Sequence, residues 1–181
     1  MAEGHERGRI LLDIARDAIA EPGTPRPKPW NEPWLAERGA SFVTLRDSLG
    51  DLRGCIGTID PHRALGDDVA HNAFAAAYRD PRFPPLQPHE RDSTAVEVSV
   101  LTPRVDFPAA TEAEAVDRLT PGDDGLVFEY RGHCATFLPQ VWENIPEPLD
   151  FLCELRRKAG LPARFWHPDV KLSRYGVEKH R

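Results

Sequence analysis

Cysteine is scarce in this chain. Three in 181 residues is an odd number and too few for a disulfide scaffold, which excludes the small stapled folds of the secretory route. Long apolar runs are missing too, and none approaches the roughly 20 residues of a membrane-spanning helix. Met1–Arg9 is polar and charged, without the apolar stretch of a secretory leader. The expectation is a reduced, cytoplasmic protein with no membrane association. There is also no basic excess: the formal net charge is −6, which argues against nucleic-acid binding through a positive footprint. The spacings that mark zinc sites, Cys-x-x-Cys and His-x-x-x-His, do not occur, and Gly122-Asp123-Asp124-Gly125 is not a calcium loop. No metal site is expected. Phosphate-binding glycine loops and nucleophile elbows are absent as well, and the sequence leaves any cofactor unknown.

What is present is an ordinary globular composition, 40% hydrophobic and 29% charged, in a length suited to one domain with a real core. Proline is the outlier at 18 residues, five of them between Pro22 and Pro33. That stretch cannot be helix or central strand, and reads as an extended loop fastened by Trp30 and Trp34.

Ile10, Leu11, Ile14, Ala15, Ala18 and Ile19 recur at helical spacing and predict a helix over about Glu6 to Ala20, ended by Glu21-Pro22-Gly23. Ala40–Leu45 and Leu52–Ile59 predict a hairpin around Gly50. Asp60-Pro61 reads as the start of a helix running to about Tyr78, stopped by Asp80-Pro81. Thr94–Leu101 alternates, with Val96, Val98 and Val100 on one face and Glu97 and Ser99 on the other, as a half-buried strand does. Thr111 with Glu114 forms a capping box ahead of a short helix to Leu119. Leu126–Arg131 and His133–Leu138 predict a second hairpin around Gly132. Pro148–Ala159 is a helix capped by Gly160, and Val170–Tyr175 a final strand. The fold class is therefore α+β, with a mainly antiparallel sheet flanked by helices.

The run Leu52-Arg53-Gly54-Cys55-Ile56-Gly57 is unlike a plain core strand. Glycine inside a strand weakens it and marks a close approach to the backbone. Alternation puts Arg53, Cys55, Gly57 and Ile59 on one face and Leu52, Gly54, Ile56 and Thr58 on the other. The second set reads as the core side. The first places a thiol beside a guanidinium, and a thiol near a cation ionises more readily. Cys55 is read either as a nucleophile activated by Arg53 or as a structural cysteine. His62, His71 and His133 are available as its base, with nothing in the spacing to select one. Asp80 reads as a turn residue or an acceptor for Arg53 or Arg82, and Arg82 as a fork for carboxylate or phosphate. Glu97 is a solvated strand residue or, across a cleft from Cys55, an acid or base. Gln140 would bind a polar ligand group or hold loop backbone.

At these residues the chain resembles the AMMECR domain family, whose microbial members are called AmmeMemoRadiSam system protein A. Leu52-Arg53-Gly54-Cys55-Ile56-Gly57 matches the family signature. Asn72 through Asp80-Pro81-Arg82-Phe83, Glu97-Val98-Ser99-Val100-Leu101, Leu138-Pro139-Gln140-Val141-Trp142 and Lys158-Ala159-Gly160-Leu161-Pro162 agree in the family's order. The resemblance implies a single domain over 1–181, with a larger and a smaller lobe and the signature strand by a cleft between them. It implies a Memo-type protein and a radical-SAM protein as neighbours and partners, and it supplies no established reaction. With it, Cys55, Arg53 and Glu97 are the candidate catalytic residues, and Gly54, Gly57, Asn72, Asp80, Arg82 and Gln140 the candidate ligand-binding ones. Arg156 stands where the family often has a cysteine, so Cys153 is assigned no role, and His133-Cys134 departs from the glycine-bearing strand usual before Leu-Pro-Gln-Val, so Cys134 is assigned none either.

Overall fold

Leu11, Leu12, Ile14, Ala15 and Ile19 repeat every three to four residues, and this stripe winds the first segment into helix α1 (Ala2–Ala20), buried along one side. The computed structural model of the chain describes residues 2–20, 22–27 and 29–181, without the side chains of Ala2 and Glu3. The helix begins four residues earlier than the apolar stripe predicts. Of the expected terminator, Glu21 lies outside the described residues. A proline-rich stretch leads to the short helix α2 (Pro33–Ala36). It is fastened as its tryptophans predict. Trp30 Nε1 donates to Asp67 Oδ1 (3.1 Å), and its ring lies where a Cβ on Gly66 would meet it at 2.4 Å.

Next come β1 (Arg38–Gly39), β2 (Ser41–Arg46), β3 (Leu52–Gly57) and β4 (Arg63–Ala64), then helix α3 (Leu65–Tyr78). The expected start of α3 at Asp60-Pro61 is corrected. Arg63 and Ala64 pair instead with Gly39 and Arg38 as a two-residue ladder, and the Leu65 amide donates to Glu37 O (2.8 Å), so the helix waits until Leu65. The segment after α3 ends in a 3-10 turn over Pro88–Ser93, followed by β5 (Ala95–Leu101). Then follow β6 (Val105–Asp106), α4 (Glu112–Arg118), β7 (Gly125–Tyr130), β8 (His133–Phe137), a 3-10 turn over Pro139–Glu143, α5 (Pro148–Lys158), β9 (Lys171–Tyr175) and β10 (Val177–His180). The last strand has no apolar alternation and was not expected from the sequence.

The chain divides into two compact units: the residues up to Leu101 with Glu178–Arg181, and Thr102–Val177. In the first, a sheet of order β10-β5-β2-β3 has antiparallel β2 at its centre. Val43 and Leu45 of β2 and Val96, Val98 and Val100 of β5 pack with Leu11, Ala15, Val69, Ala73 and Ala76 of α1 and α3 as one core. In the second, a sheet of order β6-β9-β7-β8 packs Leu126, Phe128 and Leu172 against Phe151, Leu152 and Leu155 of α5. Trp142 stacks on Phe151 with ring centroids 3.7 Å apart. Arg156 is fully buried here, its guanidinium on Glu112 (2.5 Å), Phe165 O (2.9 Å) and Cys153 Sγ (3.3 Å). The fold is α+β with antiparallel sheets. No helix among the described residues is long and apolar enough to cross a membrane.

Candidate functional site

Strand β3 is the edge of its sheet, so one row of its peptide groups has no strand partner and must be met otherwise. The register pairs Phe42 with Gly57, Val43 with Ile56, Thr44 with Cys55 and Leu45 with Gly54, then jumps to Arg46 with Leu52. Arg53 is the extra residue of a bulge, and a bulge re-aims the side chains around it. Leu52, expected in the core, is instead 38% exposed, because the bulge takes it off the core row at the end of the strand. Arg53 is buried. Its Nε and Nη2 grip both oxygens of Glu90 (2.9 and 3.0 Å), and its Nη1 donates to Pro84 O (2.9 Å). The guanidinium beside Glu90, helped by the Gln87 amide, lowers that carboxyl to about 2. Glu90 in turn raises Arg53 further. The positive charge expected to act on Cys55 is thus matched by a carboxylate that lies 37 residues away in sequence.

The exposed peptide edge at Cys55 is closed by the loop that follows α3. Asp80 Oδ2 accepts from the Cys55 amide (2.9 Å), and Arg82 Nη2 donates to the Cys55 carbonyl (3.1 Å). The two side chains mimic a neighbouring strand. They also bind each other: Arg82 Nη2 to Asp80 Oδ2 at 2.7 Å and Nε to Oδ1 at 2.9 Å, while the Arg82 amide donates to Oδ1 (3.1 Å) in a local turn. The guanidinium of Arg82, with the Cys55 and Arg82 amides, holds the buried Asp80 carboxyl well below the usual carboxylate range. Arg82 itself is raised by that carboxylate and stays 53% exposed at its side chain. Its Nη1 has no hydrogen bond among the described residues.

Cys55 is half-buried, and its Sγ accepts from Thr44 Oγ1 across the strand pair (3.4 Å). Thr44 in turn pairs with Glu97 of β5, so Cys55, Thr44 and Glu97 form one row on the sheet face opposite the helices. Glu97 is not across a cleft from Cys55. It lies two strands away on the same surface, roughly 10 Å at normal strand spacing. Nor is it solvated, as the simple alternation implied: it is buried, and Arg181 Nε donates to its Oε2 (2.5 Å). Ser99, next along that face, is buried as well.

The glycines have neighbours from the chain itself. A Cβ on Gly54 would lie 2.2 Å from Ala76 O, so α3 can rest on β3 only there, and a Cβ on Gly57 would lie 2.2 Å from the Phe42 ring. Asn72 is on the helix side of the sheet and is not brought to Cys55. Its amide donates to Ser41 O (2.9 Å), Asp68 Oδ2 (3.0 Å) and Thr58 Oγ1 (3.1 Å), in a buried polar knot that Ser41 and Asp68 complete. Gln140 belongs to the second unit, where its Oε1 is buried with no hydrogen-bond partner among the described residues. His62 bonds Asp60 O and Arg63, and His133 bonds Ala159 O, so neither is spent on Cys55. No group of three His, Cys, Asp or Glu side chains suited to a metal occurs among the described residues. Thr44 could have been found from the alternation of β2. Glu90 and Arg181 carry no signal that ties them to Arg53 and Glu97.

An α+β protein with a half-buried cysteine on a side-chain-clamped edge strand is the class defined so far. The chain belongs to the AMMECR1 family, whose profile matches residues 12–180. It is 38% identical over 182 residues to a protein of Methanothermobacter thermautotrophicus, covering 96% of this chain and 93% of that one. It is 35% identical over 178 residues to Protein MK0488 of Methanopyrus kandleri, covering 92% and 84%. The crystal structure of the uncharacterized protein PH0010 from Pyrococcus horikoshii superposes with a TM-score of 0.82 at 34% identity, covering 97% of this chain and 91% of that one.

Proposed function

We propose that this protein is a cytoplasmic, protein A-like component of the AmmeMemoRadiSam system that handles a small anionic substrate at Cys55. In this reading Cys55 is the nucleophile or covalent acceptor. Arg82, rather than Arg53, holds the anionic group. Gly54 and Gly57 shape the strand, while Arg53, Asp80 and Asn72 keep it in place. Glu97 and Gln140 are secondary. The observation that carries the reading is the setting of Cys55. Its peptide is pinned on both sides by Asp80 and Arg82, its sulfur accepts a hydroxyl hydrogen bond, and the guanidinium bonded to its carbonyl is half-exposed with Nη1 unspent. The peptide clamp closes the strand edge, and the accessible thiol beside the unspent guanidinium is what the reading draws on. A rigid strand also keeps a reacting atom in one place, which lowers the cost of alignment.

The test is Cys55→Ser beside Cys55→Ala in a host that depends on the protein, with circular dichroism to verify folding. Loss of growth with both, and with Arg82→Gln, is expected. Wild-type growth with both cysteine variants removes thiol chemistry.

A second reading has its own observation. Leu49 and Leu52, at the tip of the β2–β3 hairpin, are 85% and 38% exposed, an apolar pair beside the signature strand. It favours a non-catalytic protein that docks a Memo-type or radical-SAM partner. Co-purification lost with Leu49→Asp while Cys55→Ala is harmless would select it.

A further inference from the structure

The first unit has a cavity that the Cys55 reading does not use. About 660 Å³ in volume, it opens between α1 and β10. Arg9 and Arg16 line it from the helix, Lys179 from the strand and Arg181 from just beyond it, with His5 and His180 among them, and its described lining includes no Asp or Glu side chain. In a chain of net charge −6 this is a local reversal of sign. The helix makes it by spacing: His5, Arg9, Leu12 and Arg16 fall three or four residues apart on one stripe. Gly4 and Gly8 lie on the same side. A Cβ on Gly8 would sit 2.7 Å from His180 Nδ1, so this glycine lets β10 come up against the helix, and Gly4 has nothing within 4 Å and leaves the mouth open.

Two of these cations keep only loose pairs within the helix. Arg9 and Arg16 have Glu6 and Asp13 at 3.9 and 3.6 Å, exposed contacts within the helix that are worth little. Arg181 is committed to Glu97. The buried His180 Nε2 has no hydrogen-bond partner among the described residues, and a buried polar atom of this kind is met by a ligand or water.

We propose that this cavity binds a phosphorylated small molecule through its phosphate groups. Guanidinium forks match phosphate oxygens, and several converging cations select a ligand with more than one negative charge over a simple carboxylate. The volume suits a compact metabolite. A nucleic acid would have to continue over a surface that is acidic on balance, which opposes it. The site is independent of Cys55.

The test is titration calorimetry of the full chain with inorganic pyrophosphate at low salt. One-to-one binding is expected, weakened roughly tenfold by Arg9→Gln and further by Arg9→Gln with Lys179→Gln. Both side chains are exposed, so the variants should fold, with unchanged thermal midpoints. Arg157→Gln, an exposed charge of α5 outside the cavity, should leave binding as it was. So should Cys55→Ala, which separates a failure here from a failure of the cysteine reading. Absence of binding, or binding that survives the double variant, overturns the proposal. A single-stranded oligonucleotide that binds more tightly than pyrophosphate and is lost in the same variants overturns it in favour of nucleic acid.

Discussion

Each unit ends its sheet on an edge strand, and the two edges are closed by different chemistry. At β8 the last turn of α5 supplies a cap. Lys158 Nζ donates to Thr136 O (3.0 Å), and its ammonium lies 5.2 Å from the centre of the Phe137 ring. The groups come from a helix already packed on the same core. At β3 the closure is ionic and comes from a loop. Asp80 and Arg82 take both sides of the Cys55 peptide, and Glu90 takes Arg53. Each pair has one buried member, Arg53 or Asp80, whose desolvation offsets part of the attraction. A hydrophobic cover would have hidden the strand. The ionic one leaves Cys55 half-exposed with a guanidinium beside it. The difference lies in what each closure leaves accessible, and an edge strand alone says nothing of that.

The largest expected effect tests how far β3 depends on its ion pairs. Arg53→Ala leaves Glu90 with only the Gln87 amide and Pro84 O without its donor, and should cost about 3 kcal/mol in urea unfolding. Lys158→Ala at the other edge should cost about 1 kcal/mol. Equal losses would erase the distinction. Gly54→Ala comes next, at about 1–3 kcal/mol, because its Cβ would press on a backbone carbonyl that cannot swing away. Gly132→Ala, at φ +90° in the β7–β8 turn with open space around it, should cost only the left-handed backbone strain of about 1–2 kcal/mol.

Acid should act through the β3 closure. Glu90 is lowered to about 2 and Asp80 below the usual range, so both bind protons more weakly folded than unfolded. Their stabilisation is complete above about pH 4–5, where the unfolded carboxylates are ionised, and is lost as pH falls toward the folded values. Thermal midpoints measured from pH 6 to pH 2.5 should therefore fall less steeply for Glu90→Gln than for the wild type, and parallel curves would refute the assignment. The smallest effect belongs to the second cysteine. Cys134 is exposed on β8, and Cys134→Ser should change stability by less than about 0.5 kcal/mol and leave function untouched.

Much of this was legible along the chain. Both hairpins, α1, α5 and the stop at Asp80-Pro81 follow from period and turn chemistry. The parity of β3 held where it was regular: Gly54 and Ile56 turn to the helices and Cys55 to the other face. It failed at Leu52, because a bulge is invisible to a rule of alternation. β10 went unseen, since Glu178 and Lys179 give it no apolar period.

Local pattern was enough for the α+β class, the two hairpins and the singling out of Arg53-Gly54-Cys55, because helix and strand periods act over a few residues. What Arg53, Asp80, Asn72 and Glu97 touch was decided only by the folded chain. Their partners Glu90, Cys55, Ser41 and Arg181 lie 25 to 84 residues away, and a charge finds its counter-charge by burial and topology, not by spacing.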